Sequence, residues 1–150
     1  LIQISGAFEY PGGVPASLAT DSREQWDFPN GFPPLIHMII EGLRKSQNAA
    51  MQNQAYRLAR KWVMSNYRVY KETKKMWEKY DVSGSYPHPG IGGEYEVQDG
   101  FGWTNGVILD LLTKYKDEMK IVDYTQLQHS PFRPHDENAA LRRFRRLANY

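Results

Sequence analysis

The residues richest in chemistry lie between positions 89 and 106. Glu94, Glu96 and Asp99 bring carboxylates, Gln98 and Asn105 bring amides, and Tyr95, Phe101 and Trp103 bring aromatic rings, on a backbone broken by Gly90, Gly92, Gly93, Gly100, Gly102 and Gly106. That mixture suits a polyhydroxylated ligand. Rings pack on the apolar faces of a pyranose, amides and carboxylates bind its hydroxyls, and one carboxyl group moves a proton. A solvated glycine loop with its rings turned into the core is the competing reading, because long loops are enriched in function without being defined by it. A second cluster, Gln25-Trp26-Asp27-Phe28-Pro29-Asn30-Gly31-Phe32-Pro33-Pro34, offers the same groups just ahead of an apolar run. Asp27 there either binds a ligand hydroxyl or ties a turn through nearby backbone, as Asp and Asn commonly do.

Other chemistries find less support. Cysteine is absent, which excludes a disulfide framework, a thiolate zinc site and a cysteine nucleophile. His37, His88, His129 and His135 show neither an HExxH pattern nor paired i, i+4 spacing, so solvated or capping histidines are expected and no metal or organic cofactor is implied. Gly100-x-Gly102 precedes a helical stripe, but it lacks both the full GxGxxG pattern and a GK[ST] ending of phosphate loops.

Charge gives no reason to expect nucleic acid. Lys and Arg total 19 against 17 Asp and Glu, and the net +2 is accounted for by residues 136–150, where Arg142, Arg143, Arg145 and Arg146 outnumber Asp136 and Glu137 by two. Arginines flanking an apolar helical stripe read as its solvated face. No apolar run approaches the roughly 18 residues of a membrane span, and no Asn-x-Ser/Thr sequon occurs. The chain opens on Leu1 without a basic-then-apolar leader, the expected look of a processed start or of a longer protein that has been cut.

The elements that must position these residues read as helices. Residues 1–34 are punctuated by proline and glycine, and Pro33-Pro34 can open a helix because the missing N–H is not needed there. Leu35, Met38, Ile39 and Leu43 then predict a helix over about 34–45. Ala55, Leu58, Ala59, Trp62 and Val63, continued by Val69, Thr73, Met76, Trp77 and Tyr80, predict two helices or one bent helix over about 48–79, with Ser46 or Asn48 as cap. Glu78 falls among the charged residues between those apolar positions. Residues 81–102 read as a long loop. Val107, Ile108, Leu111, Leu112 and Tyr115 predict a helix over about 105–119, capped by Thr104 or Asn105, and a short basic helix closes the chain. No run shows strand period, so the expected class is all-α.

With these residues in view a resemblance emerges. Gln25-Trp26-Asp27-x-Pro29 with Pro33-Pro34, and Gly92-Gly93-Glu94-Tyr95 followed by Gln98 and Gly100-Phe101-Gly102-Trp103-Thr104-Asn105-Gly106, closely resemble the C-terminal motifs of trehalases of glycoside hydrolase family 37. Pro11-Gly12-Gly13-Val14-Pro15 with Ser17, and Glu41-Gly42-Leu43-Arg44-Lys45, look like the animal version. The resemblance runs from about residue 8 to about residue 116.

It implies an inverting α,α-trehalose hydrolase built as an (α/α) toroid of paired helices, with residues 1–150 forming the C-terminal part of one catalytic domain and about 117–150 a variable tail. In such a mechanism one carboxylic acid protonates the leaving oxygen and a second carboxylate, about 6.5 to 9.5 Å away, activates water. The resemblance gives the second role to Glu94, and substrate contacts to Gln25, Trp26, Asp27, Phe101 and Trp103. The general acid, an upstream Asp, and the arginine-bearing first signature are not among these residues, so the chain is expected to be inactive by itself. Phe32 stands where the family usually has Trp, Ile91 interrupts a glycine run, and Ala16 replaces a usual Thr. The rival readings are a non-catalytic carbohydrate-binding or interaction domain on the same fold, and another helical-toroid glycosidase. For the parent protein the resemblance implies a secreted or membrane-tethered extracellular form. Oligomeric state is not legible.

Overall fold

The computed structural model describes residues 6–84 and 86–119. Among these described residues it is mostly helical, with three helices and one small sheet, in the order β1 (Asn30–Gly31), α1 (Pro33–Arg44), α2 (Ala49–Thr73), β2 (Tyr80–Asp81), β3 (His88–Pro89) and α3 (Gly102–Lys114). The expected helical character is present, and the small sheet adds to it. Its strands are two residues long, too short for an alternating pattern to register in the sequence. The expected basic helix at the C-terminal end, and with it most of the tail, lies outside the described residues. No helix among the described residues is long and apolar enough to cross a membrane.

Helix α1 starts where prolines allow it, with Pro at its first positions, and buries Ile36 and Ile40. Helix α2 is a single element capped by Asn48, whose side chain accepts from the N–H groups of Ala50 and Met51 at 2.9 and 3.2 Å. It stops at Thr73, where Lys74 takes a left-handed conformation with φ 58°. The helix expected to reach residue 79 is therefore shorter. Trp77 and Tyr80 keep the helical spacing because the chain beyond the turn folds back over the same core. Trp77 donates its indole N–H to Thr73 Oγ1 at 3.0 Å, and the Tyr80 ring meets Trp62 edge-on at 5.4 Å.

Helix α3 begins at Gly102, three residues before the expected start, with Phe101 as its cap residue. Thr104 and Asn105 do not cap it. Thr104 is buried and donates its hydroxyl to the Trp77 carbonyl at 2.6 Å, while Asn105 bonds back to the Phe101 carbonyl at 2.8 Å.

The core joins Ile36 and Ile40 of α1, Leu58, Trp62 and Val69 of α2 and Leu111 of α3 with Val14 and Val82. Strand β2 is central, antiparallel to β1 on one side and to β3 on the other, with Asn30 opposite Asp81 and Tyr80 opposite Pro89. That order matters for function. It sets the turn preceding α1 and the glycine loop preceding α3 on either side of residues 78–81.

Candidate functional site

Three buried polar side chains fasten the two motifs together. Asn30 is 1% exposed; its amide donates to the Asp27 and Ile91 carbonyls, both at 2.8 Å, and its oxygen accepts from the Ile91 N–H at 2.9 Å. Lys79, fully buried, donates to Gln25 Oε1 at 2.7 Å, to the Gly92 carbonyl at 2.8 Å and to the Gln25 carbonyl at 3.1 Å. Gln25 in turn donates its side-chain N–H to the Tyr95 carbonyl at 3.1 Å. Burial pulls the Lys79 ammonium below the usual lysine range, against the nearby Glu78 and Asp27 carboxylates.

The loop approaches Gln25 so closely that only glycine fits. A Cβ on Gly93, whose φ is +99°, would stand 2.4 Å from Gln25 Nε2 and 2.9 Å from its Cα. Ile91, by contrast, takes no positive φ, so its side chain does not oppose the turn made by Gly92 and Gly93.

Glu94 sits on this turn, exposed, with no hydrogen bond or ion pair to any described residue. Glu78 is its opposite. The sequence set it on a solvated helix face, yet it is 1% exposed and lies beyond the end of α2. Tyr95 donates its hydroxyl to Glu78 Oε1 at 2.8 Å, and the Gln98 N–H reaches Oε2 at 3.2 Å. The same bond raises the Tyr95 phenol above its ordinary range. Sequence reasoning passed over Glu78 and Lys79 together. A chain break after Thr73 would have taken both off the helix, and no glycine or proline marks one.

Aromatic rings gather beside the Glu78 backbone. Trp103 anchors its indole N–H on the Glu78 carbonyl at 2.9 Å, stacks tilted on Phe101 at 4.7 Å and meets Phe32 edge-on at 6.1 Å. Phe32 thus supplies a wall without an indole donor. Trp26 is half exposed and Trp103 slightly less so. Asp27 is 8% exposed, and Ser22 occupies both its oxygens, the backbone N–H at 2.8 Å on Oδ2 and the hydroxyl on Oδ1. Its visible work is to close a turn.

A half-open groove of about 510 Å³ runs along the loop, lined by Lys75, Trp77, Ile91, Glu96, Gln98 and Asp99 among others. A second concavity, about 520 Å³, is lined by Arg44, Asn53, Tyr56, Lys114 and Tyr115 and holds none of the expected site residues. The fold also gathers His37, Glu41 and Asp110, with ligand atoms within 4.8 Å of one another. Lys114 already bridges the two carboxylates, 3.0 Å from Glu41 and 2.7 Å from Asp110, and with Arg44, 2.8 Å from Glu41, it balances their charge from within the chain.

Comparison with known proteins adds a family. The trehalase family model matches residues 2–116. A trehalase of Apis mellifera is 51% identical over 112 residues, covering 75% of this chain and 18% of that protein. A trehalase of Oryctolagus cuniculus is 48% identical over 118 residues, 79% of this chain and 20% of its own length. A trehalase of Homo sapiens is 49% identical over 110 residues, 73% and 18% respectively. The chain spans about a fifth of the length of the curated relatives it matches.

Proposed function

Since this chain belongs to the trehalase family, we propose that the protein hydrolyses α,α-trehalose to two glucose molecules with inversion. These 150 residues contribute the general base and part of the sugar-binding wall, and an Asp from outside them contributes the general acid. A water molecule attacks the anomeric carbon as the base accepts its proton, the glycosidic C–O bond breaks on the far side, and the acid protonates the departing oxygen. The observation that carries this reading is the junction of Gln25, Asn30 and Lys79. It holds the Gln25-Trp26-Asp27 turn against the loop bearing Glu94 and Tyr95, so that carboxylates and open aromatic rings share one neighbourhood.

By resemblance the base is Glu94. Its exposure and its lack of partners among the described residues leave both oxygens open to water. A second reading gives the base to Glu78, and a specific geometry favours it. Tyr95 and the Gln98 N–H fix the carboxylate from two sides, while lone pairs remain on both oxygens for a water molecule. General-base catalysis rewards a group held in one orientation.

Substitution in the full-length enzyme separates the two. Glu94→Ala and Glu78→Ala are compared with and without azide, a small nucleophile that needs no base. The true base, once removed, lowers turnover roughly 10²–10⁴-fold, and azide restores glycosidic cleavage with β-glucosyl azide as product. Rescue of Glu94→Ala supports the first reading and rescue of Glu78→Ala the second. Near-normal turnover in both variants would remove the base from this chain altogether.

A further inference from the structure

Lys79 presents three N–H donors, and three short acceptors meet them: Gln25 Oε1 at 2.7 Å, the Gly92 carbonyl at 2.8 Å and the Gln25 carbonyl at 3.1 Å, with the Ile91 carbonyl farther off at 3.4 Å. Among the described residues no carboxylate stands within ion-pair distance. A buried ammonium without a counter-ion is held only by dipoles that converge on it, and that convergence is costly to build. All of these dipoles belong to the two motifs and none to the helical core. The stem is confined as well, since a Cβ on Gly90 would stand 2.5 Å from Lys79 Cγ.

We propose that Lys79 is a positioning residue whose ammonium ties the 91–95 turn to Gln25, and that the turn holds its working geometry only while Lys79 carries a proton. A neutral amine has two donors and a lone pair facing carbonyl oxygens, so one bond is lost and the lone pair is set against an acceptor. The titratable groups that act on it are Glu78 on its own segment and Asp27 on the first turn. The carboxylates of Glu78 and Asp27 favour the charged amine, and burial opposes it. Because burial is the larger influence, the ammonium loses its proton at a lower pH than an exposed lysine does. The sign follows: the turn is fastened while the amine is charged and loosens as pH rises.

The proposal rests on the trehalase reading for its kinetic arm, and its second arm is independent of activity. In the full-length enzyme, kcat and KM for trehalose are measured against pH for the wild type, Lys79→Arg and Lys79→Met. Amide hydrogen exchange of residues 90–96 relative to α2, corrected for the intrinsic pH dependence of exchange, is followed in the wild type. We expect Lys79→Met to lower kcat roughly 100-fold, the scale of a displaced catalytic geometry. Lys79→Arg should keep part of kcat and move the alkaline fall in activity upward, because guanidinium stays charged. Exchange in the turn should rise through the wild-type alkaline limb while α2 stays protected. A folded Lys79→Met enzyme with wild-type kcat overturns the proposal. So does a turn whose relative exchange does not change with pH, a result obtained even where the Met variant fails to fold. Wild-type protein without trehalase activity would refute the functional reading and leave the exchange arm to decide the role of Lys79.

Discussion

At the scale of single residues, the site depends on contacts too close for ordinary side chains. Gly93 is the clearest case, since its φ of +99° and its approach to Gln25 each exclude a Cβ. Gly93→Ala is expected to cost about 1–3 kcal/mol from backbone strain and overpacking, and to lower kcat in the full-length enzyme because the displaced turn carries Glu94. Thermal melts and steady-state kinetics check both effects; a variant with unchanged kcat would separate the turn from catalysis. Residue types were readable at this scale, but burial was not. Glu78 and Glu94 are identical in chemistry, yet one is enclosed by Tyr95 and Gln98 and the other is open. That difference arises from where α2 stops, which no property of glutamate reports.

At the scale of elements, starts were more legible than ends. Asn48 is a capping type directly ahead of a helical stripe, and its side chain receives two N–H groups. Asn48→Ala should lower stability by about 1 kcal/mol, read as a shift in denaturant midpoint with unchanged slope. No shift would mean that other contacts satisfy those N–H groups. The end of α2 was hidden because Trp77 and Tyr80 continue the apolar spacing beyond Thr73. Tertiary burial imposed the same pattern on a segment that is not helical. The sheet escaped for a related reason: its two-residue strands gain their pairing from the loops they connect rather than from local propensity.

At the scale of the molecule, charges tie α3 to α1. Glu41 of α1 binds Arg44 at 2.8 Å within its own helix and Lys114 of α3 at 3.0 Å, while His37 of α1 meets Asp110 of α3 at 2.7 Å. The Arg44 hydrogen bond, opposed by burial and reinforced by Lys114, holds the Glu41 carboxyl down at about 2, against an ordinary value of 4.5. A depressed carboxyl pKa stabilises the fold above the ordinary value, and that contribution fades as pH falls from 4.5 toward about 2. Glu41→Gln should therefore be less stable than the parent at pH 7, by about 1 kcal/mol for so accessible a network, with the gap closing in that window. Melting temperatures across the pH range test this, and a gap that persists at the acid end would assign the effect to packing.

The sequence by itself determined which groups are present, the two motifs with their order and family, the proline start of α1, the Asn48 cap and the amphipathic faces of the helices. These are local or nearly local properties, written in residue type and period. Only the tertiary structure decided that Lys79 and Asn30 join the motifs, that Glu78 is enclosed while Glu94 is open, and that Asp27 is occupied by Ser22. Those outcomes depend on contacts such as Lys79 with Gln25, 54 residues apart, and Asn30 with Ile91, 61 residues apart. Periodicity carries no information across such distances, and burial of a polar group becomes possible only when distant partners arrive to satisfy it.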